Sequence, residues 1–414
     1  MQHILDTACG LDIHKDIITA CILRANDTDT PDMIRETFTA MRGDLFRLRN
    51  WLTVNKCLNV AMESTGVYWK PVYEVLEEIE GINLCLVNSY HMRNVPGKKD
   101  DLKDAKWIAQ LHMWGLLEKS FVPDPGIRDL REYARHHVKL VQEGARIVNR
   151  IEKLLQSHGF KLSSVLSSIV GVSSTRILEH LCEYVEIDVE HVQMYRERGI
   201  KKSSEEIAYA INGKFSHNSQ VLLGILLAEY KENQSQVGNS LWVMQRVAEP
   251  YMKQIELLST IPGIDRLSAT YIIAEIGVDM TRFHGDAAHL TKWAGLTPRN
   301  DESAGKVKSR KILKGNSYTK SILCQCAWAT TRTRNTRPSN WYWRNVKRLG
   351  QKKAIIAVAR KLLVYAFHII SSGEPYDTRL DVIDTEKLNA AKTIEQQSAN
   401  PETTAVNEPD VEIS

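Results

Sequence analysis

The 414 residues include seven cysteines (9, 21, 57, 85, 182, 324 and 326) but no C-x-x-C pair. That spacing argues against a zinc ribbon or a disulfide framework and for a reducing compartment. No basic segment followed by an apolar one opens the chain, so no secretory leader is expected. Apolar runs such as Val221–Ala228 are far too short to span a bilayer, and no membrane partner is expected. The most informative absence is acid: from Ser303 to Gly373 there are sixteen Lys or Arg and no Asp or Glu. A stretch so one-sided implies a polyanion or a phosphate-rich surface as partner. Beyond Asp377 aromatics disappear, and residues 374–414 carry ten acidic side chains against three basic. That composition predicts a disordered acidic tail.

What is present suits two or three domains, with 43% hydrophobic and 25% charged residues. Residues 8–24 are β-rich and 33–40 can pair with them. A helical pattern follows at 43–54, a strand at 58–64, a helix at 66–79, a strand at 82–88 and a helix at 102–117. This order predicts an α/β sheet. From Ile127 apolar residues recur at threes and fours through Leu130, Ala134, Val138, Val141, Ala145, Val148, Ile151 and Leu155. That stripe suits a helical bundle and a dimerising coiled coil equally, with a second long helix at about 218–247 as its antiparallel neighbour. The punctuation at 159–164 and 213–215 separates the two. Residues 257–277 read as helix, Ile261-Pro262-Gly263-Ile264 turn, helix. A helix-hairpin-helix of this kind offers backbone N–H groups around Gly263 to a phosphate, and a plain αα-hairpin has the same turn chemistry. The expected division is 1–120, 121–250, 251–373 and the acidic 374–414.

Four carboxylates are candidates for chemistry. Asp12 interrupts an apolar strand, where a buried carboxylate is costly unless paired or bound to metal. Glu63 ends a second strand, followed by the small residues Ser64, Thr65 and Gly66. Asp101 and Asp104, three apart, share one helix face, with Asp100 turned away. Two strand ends and a helix face can gather carboxylate oxygens around Mg2+ ions, which stabilise both oxygens of a phosphodiester displacement. Each residue alone also suits a solvated edge or face. Lys98, Lys99, Lys103 and Lys106 around the aspartates would let a phosphate backbone approach a negative site.

A second candidate is Ser303, followed by Ala304 and Gly305 and then by Lys306, Lys308, Arg310 and Lys311. A serine hydroxyl needs activation to act as a nucleophile, and no histidine adjoins it in sequence. The residues by themselves favour a phosphate-binding loop in which Ser303 donates a hydrogen bond. In the basic run 331–363, Trp341, Tyr342 and Trp343 suit either stacking on bases or core packing.

Together GLDIHK (10–15), AMESTGVYWKP (61–71), GKKDDLKDAKWIAQL (97–111) and the segment 261–310 resemble the IS110-type insertion-sequence transposases, or DEDD recombinases, over roughly residues 8–373. The resemblance implies an RNase H or RuvC-like N-terminal domain, a helical coiled-coil middle and a mostly helical C-terminal transposase domain. It implies that Asp12, Glu63, Asp101 and Asp104 hold Mg2+ and that Ser303 attacks a DNA phosphate, forming a transient phosphoserine link. It further implies donor and target DNA, an element-encoded guide RNA, a homo-oligomer (dimer or tetramer) and a prokaryotic, cytoplasmic setting. The alternative is a RuvC-like junction-resolving endonuclease that cuts with water and uses Ser303 only for binding.

Overall fold

A computed structural model describes residues 4–26, 31–64, 66–88, 104–298, 301–303, 306–309, 311–382, 384 and 386, with backbone alone at 301–303 and 306–309. The chain divides into two compact units, Met1–Val122 and Pro123–Ser414.

The N-terminal unit is built on β1 (Thr7–Ile13), β2 (Ile17–Arg24), β3 (Asp32–Thr39), α1 (Arg42–Val54), β4 (Asn59–Glu63), α2 (Trp69–Leu76), β5 (Asn83–Val87) and α3 (Asp104–Met113). The five strands form one sheet in the order β3-β2-β1-β4-β5. The first three pair antiparallel through short connections, whereas β1, β4 and β5 run parallel. Parallel neighbours require crossovers, and α1 and α2 provide them. Strand alternation sorts the side chains into two faces. On one, Leu11, Ile13, Val60, Met62, Leu84 and Leu86 pack against Leu45, Leu48 and Leu52 of α1 and Val72, Val75 and Leu76 of α2. On the other, Ala8, Cys21 and Leu23 meet Ala105, Ala109 and Met113 of α3, while Ala61, Cys85 and Val87 meet Ile108. Burying Ile108 stabilises this contact by about 2 kcal/mol.

The C-terminal unit is mostly helical. Its frame is an antiparallel pair, α4 (Pro125–Ser157) and α9 (His217–Val247). Arg150 bonds Glu229 at 2.6 Å, and His158 at the end of α4 bonds Ser219 at 2.9 Å near the start of α9. The buried stripe of α4 differs from the one that apolar spacing suggests. Leu130, Ala134, Ile151 and Leu155 are buried as expected, but His137, Gly144 and Ile147 replace Val138, Val141 and Ala145 in the middle. The stripe shifts because Asn233 of α9 donates to the Leu140 carbonyl at 3.0 Å and lies against Gly144. Its amide occupies the space that a side chain at 144 would need. Between the pair, α5 (Leu162–Val165), α6 (Val172–Glu183), α7 (Val189–Tyr195) and α8 (Ser204–Ala210) enclose a core with Phe160, Leu178, Leu181, Phe215 and Leu223. The punctuating segments at 159–164 and 213–215 thus contribute core phenylalanines, their rings 4.8 Å apart.

The rest comprises α10 (Met252–Ser259), α11 (Arg266–Ile276), α12 (Ala287–Trp293), the hairpin β6 (Asp301–Ser303) and β7 (Lys306–Ser309), then α13 (Ser317–Arg332), α14 (Arg337–Leu349) and α15 (Gln351–Ser372). By length and composition α15 is apolar enough to cross a membrane, which the short apolar runs in the sequence had not suggested. Here it is a core helix, burying Ala354, Ile355, Val358, Leu362, Leu363 and Phe367. The acidic segment also begins folded rather than disordered. Asp381 accepts from the Arg337 N–H at the start of α14 and from the Tyr376 hydroxyl, and Asp384 takes Arg344 at 2.9 Å. Burial and the bond to Asp381 push the Tyr376 phenol far above its ordinary value.

Candidate nucleic-acid-processing site

Strand register sets the first group of residues. Gly10 pairs with Ala61 and Leu11 with Met62 across β1 and β4, so Asp12 and Glu63 come one step further, at the C-terminal ends of neighbouring parallel strands. By alternation Asp12 follows Ala8 and Gly10, and Glu63 follows Ala61, so both lie on the α3 side of the sheet. Ligands of open α/β sheets bind at this end of the strands. Asp104 opens α3 on the same side, at the end of the helix where a carboxylate also complements the positive dipole. Gly10 makes the approach possible: a Cβ there would stand 2.1 Å from the Ala105 carbonyl oxygen and 2.5 Å from the Ala109 nitrogen. The strand and helix backbones touch at Gly10, two residues before Asp12.

Asp12 has a partner that residue spacing did not suggest. His14 Nε2 lies 3.2 Å from Asp12 Oδ2, with the imidazole largely exposed. Both residues sit in the GLDIHK stretch, which was the available signal. The donor chemistry around this edge is carboxylate oxygen, which suits a hard divalent cation such as Mg2+. Among the described residues no three His, Cys, Asp or Glu side chains converge closely enough to hold a metal ion. Asp101, Lys98 and Lys99 lie outside the described residues.

Ser303 is the last residue of β6 and pairs with Lys306 of β7, and the two residues between the strands, Ala304 and Gly305, lie outside the described residues. The pairing carries a bulge at Asp301/Glu302. Lys308 lies on β7, Lys311 is exposed just beyond it, and Arg310 lies outside the described residues. The root of the hairpin is held tightly. Pro298 bridges to Ile312, and the Leu313 N–H donates to the Thr297 carbonyl at 3.1 Å. Gly295, with φ of +70°, and Gly315 approach so closely that a Cβ on Gly315 would stand 2.3 Å from the Gly295 nitrogen.

One residue beyond Gly315, Asn316 caps α13, accepting from the Thr319 N–H at 2.9 Å. Its amide donates to Glu275 at 2.6 Å. Glu275 sits inside α11 with its side chain 4% exposed. It receives Arg135 through two bonds, at 2.7 and 2.9 Å, while Arg131 donates to the Ala274 and Glu275 carbonyls. The Arg135 guanidinium also lies over the Tyr318 ring at 4.6 Å. Burial pushes Arg131 down to about 10, against the attraction of Glu275. Burial acts in the same sense on Arg135, but its bonds to Glu275 outweigh it and the pKa is raised. The glutamate in the apolar run IIAEIG (272–277) was the sequence signal for this network, since a buried carboxylate needs partners.

The turn at Gly263, with φ of +87°, has a structural cause. A Cβ there would stand 2.1 Å from Thr330 Oγ1 of α13, and that hydroxyl donates to the Pro262 carbonyl at 2.8 Å. Of the aromatic run, Tyr342 is buried, as core packing would have it, and the half-buried Trp341 lies beneath the Lys361 ammonium at 5.1 Å. Trp343 is 60% exposed.

Comparison with known proteins agrees with the motifs. Residues 9–160 match the IS110-type DEDD transposase family model, and residues 255–343 match the model described as transposase IS116/IS110/IS902 family. The pilin gene-inverting protein of Moraxella bovis is 21% identical over 389 residues, covering 90% of this chain and 98% of its own length. The protein of that name from Moraxella lacunata is equally similar over the same spans.

Proposed function

Because the chain belongs to the IS110 family of transposases and is a DNA-acting enzyme of that type, we propose that it cuts and rejoins DNA through a serine-linked intermediate, using a metal-binding carboxylate set. The observation behind this reading is that β1 and β4 end side by side, which sets Asp12 and Glu63 on the face of the sheet where α3 begins with Asp104. That geometry is the kind an RNase H or RuvC-like sheet uses. Asp12, Glu63, Asp101 and Asp104 would hold Mg2+. The chemistry supplied there is charge stabilisation on the phosphoryl and leaving oxygens.

The protein's own steps are few. The Ser303 Oγ attacks phosphorus, its proton passing to a base; the Oγ–P bond forms, the P–O bond to one sugar breaks, and the departing oxygen takes up a proton. A sugar hydroxyl of another strand then attacks the same phosphorus, the Oγ–P bond breaks and the serine is regenerated. One phosphodiester replaces another, so no ATP is required. Lys98, Lys99, Lys306, Lys308, Arg310 and Lys311 neutralise phosphates on approach, and the Gly263 turn adds backbone contact. The name of the Moraxella relatives supports rejoining over simple cutting, since inverting a gene leaves the DNA continuous. A guide RNA pairing with donor and target DNA, a coiled-coil contact along α4 and α9 and a homo-oligomer complete the reading.

The test is a denaturing gel of labelled donor DNA incubated with protein, Mg2+ and the element's flanking transcript, run with and without protease. A protein-linked strand is expected that shortens on proteolysis, is absent with Ser303→Ala and is absent with Asp12→Asn. Free cut ends that persist in Ser303→Ala would overturn the serine step and leave a metal-dependent endonuclease acting with water.

A further inference from the structure

Trp328 and Trp343 are conspicuous because nothing in their own bonding requires them to face solvent. Trp328 is 44% exposed and Trp343 60%. The indole N–H of Trp343 donates to the Thr331 carbonyl at 3.2 Å, so its polar atom is satisfied while its ring faces outward in a fixed pose. The buried Tyr342 stands between the two rings, 6.4 Å from Trp328 and 5.1 Å from Trp343, in edge-on contact with each. The buried Tyr342 ring thus links the two exposed indoles of α13 and α14. Two large exposed rings on a folded surface mark an interaction site.

The charges say what kind. Arg332 follows Trp328 by one helical turn on α13, and Lys347 follows Trp343 by one turn on α14, so each ring has a cation on its own face. Both cations are exposed, and among the described residues neither has an ion-pair partner. The neighbouring Arg344 and Lys361 are already engaged, by Asp384 and by the Trp341 ring. No acid occurs anywhere between Ser303 and Gly373. Aromatic faces interleaved with cations match unpaired bases on a phosphate backbone.

We propose that Trp328 and Trp343 form a stacking platform for single-stranded DNA, with Arg332 and Lys347 contacting its phosphates. A duplex hides its base faces and would meet only the cations. Strand exchange exposes unpaired bases, which gives the occupant a place in the reaction. The platform requires neither Ser303 nor the carboxylate set, so its failure would leave the recombinase mechanism intact.

The experiment measures fluorescence anisotropy of a labelled oligothymidylate with the full-length protein in EDTA, where no strand is cut, over a range of salt. Trp343→Ala and Trp328→Ala are each expected to weaken binding about 5- to 150-fold. The slope of log Kd against log salt should hold, because no charge is removed. Trp343→Phe keeps a ring and should stay close to the parent, and Trp343→Leu keeps bulk without a π face and should bind as weakly as the alanine variant. Blunt duplex affinity should be unchanged throughout. Unchanged oligothymidylate affinity, an equal loss on duplex, binding of oligouridylate alone, or a loss of self-association in sedimentation without a loss of binding would each overturn the proposal.

Discussion

In the N-terminal unit the candidate carboxylates are placed by backbone register, whereas in the C-terminal unit the serine hairpin is placed by a buried ion pair on another helix. Asp12 and Glu63 stand at equivalent ends of adjacent strands, and Gly10 lets α3 bring Asp104 to the same face. The hairpin has only short strands of its own, and two segments distant in the chain anchor its root through Asn316: Glu275 and, through it, Arg135. Backbone placement survives most side-chain changes, while network placement depends on every member. The first arrangement suits groups that must hold an ion at fixed positions. The second holds Ser303 at the end of a short strand whose own pairing is slight.

The sharpest way to test this contrast is Glu275→Ala. It leaves two arginines without their shared carboxylate and should cost about 3–5 kcal/mol in the C-terminal unit. Urea unfolding, read by hydrogen exchange at residues 311–316, would show it. In the surviving folded fraction, formation of the protein–DNA link should slow while DNA affinity holds. An unchanged rate would mean that the glycine clasp alone positions the hairpin.

Acid should act on the other unit first. His112 is buried in α3, its Nε2 has no hydrogen-bond partner among the described residues, and burial, with Lys119 nearby, holds its pKa down at about 4. The folded state therefore resists a proton that the unfolded chain accepts near 6.5. Stability should be full above that value and fall as pH drops toward 4, by about 3 kcal/mol in all. His112→Leu should flatten that dependence in pH-resolved urea midpoints; a parallel curve would remove His112 as the cause.

The smallest expected effect is that of Gly10→Ala. One methyl group must displace backbone at Ala105 and Ala109 rather than a flexible side chain, at about 1–3 kcal/mol. Cleavage should fall through displacement of Asp104, with the C-terminal unit's thermal transition unmoved. A shift in both transitions would show that the two units are not independent.

Much of this was legible beforehand. The strand and helix order of the first unit followed from apolar periodicity, because a sheet covered on both faces needs long runs such as residues 17–24. Asp12 stands out as a charge interrupting an apolar strand, and Glu63 as a charge ending another. The pattern of α4 was read one residue out of register in its middle, since Val141 and Ala145 are apolar by composition yet face outward once Asn233 fills the space beside Gly144. Composition alone predicts disorder throughout the acidic segment, because it does not reveal that Asp381 accepts from both the Tyr376 hydroxyl and the first N–H of α14.

The sequence by itself determined the periodicities, the acid-free basic stretch and the motifs that mark the family, since these are properties of neighbours along the chain. Tertiary structure alone decided the rest. It brought Glu275 to Arg135 across 140 positions, brought α3 onto Gly10, and turned Trp343 outward while burying Tyr342 beside it. The physical reason is common to all three: burial, close backbone approach and charge pairing depend on distance in space, which local spacing does not encode.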